Sequence, residues 1–381
     1  MPFNHVSTEL RIFSARDCLS RLDRELARLG CSRAVIFCGR TMSTSPLIDM
    51  VRDGMGDRFA GTFAGVKAHS PVPAVAEGAR FLRDQNADAV VAVGGGSAVV
   101  CARASTIFLA EGEDLSKIAT FRDNAGKMLS PRLSAAKLPQ LIVPTTPNTA
   151  VVKAGTAVFD PVDARRYALF DPKTRAGAVF VQPDLIASAP ADLVLTASLD
   201  TLSLAIDGLI SRTGDPVADA LLIHAIRLLV NGLPRLATGD TTDLREELTM
   251  AALLCGRGTD HTGAGVTTVL GHAIGANHHV ENGTVKAVLL PHTMRFNAGH
   301  NEKGFANLAL ALGVDAPDDI APALEAFNRR MNLPHTLGAL DIPEDALAEI
   351  AERSMLDWFL TGNPRKVTNP EDLVALMRAA L

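Results

Sequence analysis

Four short apolar runs are spaced through the first half of the chain: AVIFC at 34–38, AVVAV at 89–93, QLIVP at 140–144 and AVFV at 178–181. Amphipathic segments, 15–29 and 75–85 among them, lie between. An aliphatic run without polar alternation is how a strand buried on both faces reads, and helical-period segments between such runs supply the crossovers of a parallel sheet. The alternation stops near residue 183. Beyond the polar, proline-bearing stretch 182–192, the segments 195–209, 217–233, 244–253, 320–331 and 345–351 carry the 3.6-residue period with no strand-like run between them. These patterns predict an α/β domain with a parallel sheet over 1–187 and an all-α domain over 188–381. Two domains also suit a chain of 381 residues, because single domains usually span ~100–200.

Charge narrows the partners. Thirty-seven Lys and Arg against 42 Asp and Glu leave −5, with no basic stripe, which argues against a nucleic acid and for a small molecule. The five cysteines (18, 31, 38, 101 and 255) are scattered, odd in number and free of CxxC spacing, so they suggest a reducing compartment. The start, MPFNHVSTELRIF, lacks a basic segment followed by an apolar one, and no run of ~18 apolar residues stands out. A cytoplasmic protein with no membrane partner is the expectation.

Three glycines and a serine, Gly94, Gly95, Gly96 and Ser97, stand where the 89–93 run feeds a predicted helix. Backbone N–H groups at such a junction reach a pyrophosphate closely and the helix dipole favours the anion; a tight packing turn is the bland alternative. The segment from Pro144 through Thr145, Thr146 and Asn148 likewise follows a strand and offers hydroxyls and an amide at the carboxyl edge, where open α/β sheets bind ligands. After the 34–38 run stand Gly39 and Arg40, where an NAD-specific site often places an acid for the ribose. Glycine leaves room for a 2′-phosphate and arginine can pair with it, so both NADH and NADPH remain open. The first domain reads as Rossmann-like.

The segments AVGGGSAVVCARA (92–104), LPQLIVPTT (138–146), LTASLDTLSLAIDGL (195–209), GHAIGANHHVENGTVKAVLLPHTMRFN (271–297) and TGNPRKVT (361–368) together resemble the iron-containing alcohol dehydrogenase superfamily, whose fold is dehydroquinate synthase-like. AHSPVP (68–73), FDPK (170–173) and the spacing of Cys255, Gly256 and His261 resemble its maleylacetate reductase branch. The resemblance implies a Rossmann-like domain followed by a helical one with the active site in the cleft between them. It also implies NADH or NADPH as cofactor, a contact from His69, a homodimer, and a role in the catabolism of aromatic compounds.

The superfamily's metal site takes an aspartate, a histidine four residues on, and two later histidines. Aligned on His272-Ala273-Ile274-Gly275, the four positions here are Asp200, Leu204, Thr268 and Asn282. One carboxylate, a threonine and an amide fall short of the three or four N/O/S ligands that Fe²⁺ or Zn²⁺ needs, so no metal is expected; a re-formed site from Asp200, His278 and His279 is the alternative. Val100 and the 150–152 segment also depart from the superfamily's pattern. Without a Lewis acid, reduction of a substrate bearing its own carboxylate is the chemistry that asks least of a metal. His272 is the candidate nicotinamide-side donor or proton relay, His261 a carboxylate contact, Lys153 an alternative donor, and Asp200 either catalytic or a helix-start acid. Arg257 and Lys286 add positive charge, Lys286 reading as a solvated surface residue, and His292 as structural. The expected activity is a metal-independent NAD(P)H reductase of an unsaturated or oxo acid. A metal-dependent alcohol or aldehyde dehydrogenase and a non-catalytic nucleotide-binding relative stay open.

Overall fold

The computed structural model describes residues 3–124, 128–163, 165–236, 238–278 and 280–381. The chain forms two compact units, Thr8–Ala189 and Pro190–Leu381, the latter together with the segment up to Ser7. Residues 3–7 thus leave the α/β half and join the helical one, which no apolar pattern announces.

Among the described residues the α/β unit has ten strands: β1 Arg11–Ser14, β2 Ala34–Phe37, β3 Phe59–Phe63, β4 Ala89–Gly94, β5 Phe121–Arg122, β6 Met128–Leu129, β7 Gln140–Pro144, β8 Gly155–Asp160, β9 Arg165–Phe170 and β10 Ala176–Val181. Six form one sheet in the order β1-β10-β7-β4-β2-β3, with every pair parallel. The four inner strands β10, β7, β4 and β2 are buried on both faces, as the aliphatic runs require. Ile36, Val91, Val93, Leu141, Val143 and Phe180 pack with Leu22, Leu26, Val51 and Met55 from the helices Leu22–Arg28 and Leu47–Met55. Across the sheet, the helix Val72–Asp84 closes on Gly96–Glu111 at Gly78, where a Cβ would lie 2.5 Å from Ser105 Oγ and 2.8 Å from the Phe37 ring. β8 and β9 make an antiparallel ribbon apart from the sheet.

The helical unit comprises Ala191–Leu209, Pro216–Leu236, Thr242–Thr262, Val266–His278, Asn282–Asn297, Glu302–Leu312, Ile320–Arg330, Leu347–Ser354 and Pro370–Arg378, with short 3₁₀ turns between. Pro216–Leu236 is long and apolar enough to cross a membrane. Here it packs against Ala191–Leu209 and Thr242–Thr262 as a core helix, with Leu222, Ile226, Leu229 and Leu233 fully buried.

Candidate active site

In the α/β unit the carboxyl ends of the parallel strands share one edge. β2 leads on to β3 on one side of the sheet, while β4 leads to β7 on the other, so the strand order reverses between β2 and β4, the crevice where open α/β sheets hold ligands. β4 ends on Gly94 at φ +144°, a conformation open to glycine. Gly95 then caps Gly96–Glu111 with no side-chain bond to the first-turn amides, which leaves orphan N–H donors at a helix start.

The neighbouring strand brings the second turn alongside. Gly94 pairs with Pro144, and the Thr145 N–H donates to the Gly94 carbonyl at 3.1 Å. A Cβ on Gly95 would stand 3.0 Å from Thr146 Oγ1, and one on Gly96 3.9 Å from Asn148 Cβ. Asn148 donates through Nδ2 to the Thr146 carbonyl at 3.1 Å, and its buried Oδ1 has no hydrogen-bond partner among the described residues. Ser70 donates to the Ser97 carbonyl at 3.4 Å. His69 and Ser70 both have left-handed backbones, φ 59° and 48°, of order 1–3 kcal/mol of strain each, and His69 is exposed. Gly39 caps a one-turn helix after β2, with Arg40 exposed. Gly94 to Ser97, Thr145, Thr146 and Asn148 therefore meet in space, with the 69–70 turn against Ser97.

One residue that the sequence reading passed over fixes this arrangement. Arg103, fully buried on the Gly96–Glu111 helix, donates to the Ala150 carbonyl at 2.8 Å and the Gly155 carbonyl at 2.9 Å. It anchors the turn Thr149–Val152, whose C-cap is the half-buried Lys153. FDPK is structural: Asp171 caps Lys173 and lies 3.0 Å from both Lys137 Nζ and Lys173 Nζ. Burial works to raise its pKa, but these donors and charges outweigh it and hold the carboxyl below its ordinary value.

In the helical unit, three helices meet through glycines. A Cβ on Gly283 would fall 1.9 Å from the Thr196 carbonyl on Ala191–Leu209; one on Gly275 would fall 2.1 Å from Asn282 Oδ1, and one on Gly271 2.4 Å from Lys286 Cγ. The space so opened is filled by Lys286. Its side chain is 1% exposed, and its ammonium donates to Asp200 Oδ1 at 2.6 Å. This overturns the reading of Lys286 as a solvated surface charge. The signal was present: Lys286 lies four residues after Asn282 on the same helix face, inside the apolar run VKAVLL.

Asp200 keeps 33% side-chain exposure. Leu204 and Thr268 are buried, and Thr268 Oγ1 has no hydrogen-bond partner among the described residues. Two turns beyond Asp200, the fully buried Asp207 accepts from the Gly265 and Thr268 amides at 3.1 and 2.8 Å and so caps the Val266–His278 helix. Burial raises its pKa, against the groups of Thr267 and Thr268 and the charge of Lys286. His272 directly follows Gly271, and its ring lies 6.3 Å from that of Phe359. Asn363 of the TGNPRKVT segment is fully buried, exchanging bonds with Asn297 and accepting from the Val266 amide, so that segment ties helices together. His278 closes the Val266–His278 helix, while His279 lies outside the described residues.

His261 sits elsewhere. Its ring stacks on His5 at 3.9 Å between centroids, and its Nδ1 is 3.9 Å from Asp215 Oδ2, which pairs with His5 Nδ1 at 2.7 Å. Its neighbour Thr262 packs at Gly208, eight residues and about 12 Å of helix from Asp200 at 1.5 Å per residue. The partner of His261 is thus a carboxylate of the protein itself, and the cluster binds the N-terminal segment to the helical unit. His292 is half-buried, its pKa lowered first by burial and then by Arg295.

Family models cover both halves. Residues 10–183 match that of iron-containing alcohol dehydrogenase and residues 194–381 that of the Fe-containing alcohol dehydrogenase family, C-terminal. The chain belongs to the iron-containing alcohol dehydrogenase family. It is an oxidoreductase, with the family's parallel-sheet domain and helical domain. Lactaldehyde reductase of Escherichia coli is 29% identical over 377 residues, 96% of each chain. Maleylacetate reductase 2 of Cupriavidus pinatubonensis is 27% identical over 373 residues, covering 97% of this chain and 94% of that one. The crystal structure of sulfoacetaldehyde reductase from Bifidobacterium kashiwanohense, in complex with NAD⁺, superposes with a TM-score of 0.88 at 20% identity over 100% of this chain and 99% of that one.

Proposed function

We propose that this enzyme is an NAD(P)H-dependent reductase of maleylacetate-reductase type, acting on an unsaturated or oxo carboxylic acid without a metal, in the breakdown of aromatic compounds. The observation that carries the reading is the state of the family's metal position. Of its four residues only Asp200 is an anionic donor, and its Oδ1 is taken by Lys286. Leu204 has no donor atom, and Thr268 and Asn282 add a hydroxyl and an amide. A dication placed there would meet an ammonium beside one carboxylate, a poor set for Fe²⁺ or Zn²⁺, so the residues do not fit the family's metal and no step runs through one.

The dinucleotide is a different matter, because the nucleotide unit fits it. The amides of the 94–97 turn would hold the pyrophosphate at a helix start; the buried acceptor Asn148 Oδ1 and the Thr145 and Thr146 hydroxyls would meet sugar or amide groups. Gly39 leaves room beside the ribose, and exposed Arg40 would pair with a 2′-phosphate. When bound, NADH or NADPH supplies the hydride. His272, next to Gly271, relays a proton, and Lys153 is the further donor on the nucleotide side. We place the enzyme in the cytoplasm, as a homodimer.

The test is cofactor oxidation, followed at 340 nm, over a panel of small oxo and 2-enoic acids, beside aldehydes and alcohols, with NADH and NADPH compared. Turnover of carboxylate-bearing substrates is expected. Activity confined to simple aldehydes or alcohols contradicts the substrate class, and tight cofactor binding with no turnover on any substrate contradicts catalysis.

A further inference from the structure

We infer that Lys286 has taken the electrostatic role of the family's metal: its ammonium, held on Asp200, is the catalytic cation that binds the reacting carbonyl oxygen of the substrate. The inference rests on the reading under Proposed function and deepens it by naming the group that does the work of a Lewis acid.

The argument begins with the cost of burying an ammonium. A lysine head taken from water loses several kcal/mol of solvation unless its donors are satisfied. It carries three N–H donors and no acceptor. Among the described residues, Asp200 Oδ1 is the one hydrogen-bond acceptor of Lys286 Nζ. A lysine built only for stability is better served, as Lys137 in the other unit shows. The Lys137 side chain has no exposure, yet its ammonium donates to Glu111 Oε1 at 2.6 Å and the Ala135 carbonyl at 2.8 Å and stands 3.0 Å from Asp171 Oδ2. Lys286 is equally buried, with two donors unmatched among the described residues, and its partner Asp200 is one-third exposed. Backbone room is provided as well, since any side chain at Gly271 would collide with the Lys286 stem.

The chemistry follows from charge. As hydride arrives at a carbonyl carbon, or at the distal carbon of a C=C bond conjugated to a carbonyl, the displaced π pair ends on the carbonyl oxygen. A new C–H bond forms, one π bond breaks, the nicotinamide is oxidised by two electrons, and one proton completes the product. An ammonium beside that oxygen stabilises the negative charge and can supply the proton, refilled from solvent. Asp200 keeps Lys286 charged and aimed.

Two experiments test this. Lys286→Ala should lower kcat by about 10²–10³-fold, the scale for loss of one preorganised donor, with NAD(P)H affinity unchanged; methylammonium or ethylammonium should restore turnover saturably. A kcat within about threefold of the parent, or a loss that no amine restores, overturns the inference. The second readout needs no turnover. Succinate binding to the NAD⁺-loaded protein, by calorimetry, should weaken at least tenfold in Lys286→Met and by less in Lys286→Arg. Equal affinity in parent and Lys286→Met, including no binding to either, overturns it. An idle substrate panel combined with Lys286-dependent succinate binding would instead strike the proposed activity and leave Lys286 as an anion site.

Discussion

Lys137 in one unit and Lys286 in the other both have buried heads, and the two are treated oppositely. Lys137 is surrounded by two carboxylates and a carbonyl; Lys286 has one carboxylate. The first is a network of ion pairs and hydrogen bonds whose return is rigidity. The second has one acceptor among the described residues, at the position that the family resemblance assigns to the metal. The contrast separates a stability device from a site, and it can be broken from either side.

The largest separation is expected between Lys286→Met and Lys137→Met. The former should lose turnover by about 10²–10³-fold while denaturant unfolding changes little, because Asp200 can turn to water. The latter takes the cation from Glu111 and leaves Asp171 with Lys173 alone, and should cost about 3–5 kcal/mol in unfolding free energy, with turnover of the folded fraction unchanged. If both variants lose activity and stability alike, the distinction fails.

Next in size is Gly271→Ala. Its Cβ would lie 2.4 Å from Lys286 Cγ, so the lysine must shift, and kcat should fall by about tenfold, the equivalent of ~1.4 kcal/mol. Gly94→Ala, at φ +144°, probes the other unit. It should raise the Kd for NAD(P)H by about tenfold, matching backbone strain of order 1–3 kcal/mol, and leave succinate binding to the NAD⁺-saturated protein intact.

The smallest effect concerns Asp215, which joins His5 and the Val217 and Ala218 amides. Burial raises its pKa, but the His5 bond and those amides more than compensate, so its folded pKa lies below the ordinary value. The stability it contributes is therefore fully present above the unfolded carboxylate range and is lost as pH falls through the folded pKa. Asp215→Asn should cost about 1 kcal/mol at pH 7, and the difference from the parent should begin to shrink as pH falls into the ordinary carboxylate range, about pH 4, and vanish only below the lowered folded pKa, as read from unfolding midpoints across pH.

Much of the fold was legible because the parallel strands are aliphatic runs, and 34–37, 89–94 and 140–144 stand within a residue of where those runs lie. β3, FAGTF with a central glycine, has no such signature. The two helices that build the helical site, Val266–His278 and Asn282–Asn297, carry no amphipathic stripe because they are buried almost all round, Val285 to Pro291 without a break. The 94–97 and 144–148 turns were readable since a turn after a strand has a local signature. The Lys286–Asp200 pair spans 86 residues, and no local pattern joins its members. His261 lies eleven residues before His272 in sequence, whereas the fold sets it against His5 and Asp215.

The most direct measurement is metal content and turnover on one preparation, before and after exhaustive chelation. Far less than one transition-metal ion per chain, with turnover of the carboxylate substrate unchanged by the chelator, is the predicted result. One equivalent of metal, activity abolished by its removal and restored by Fe²⁺ or Zn²⁺, would contradict the account.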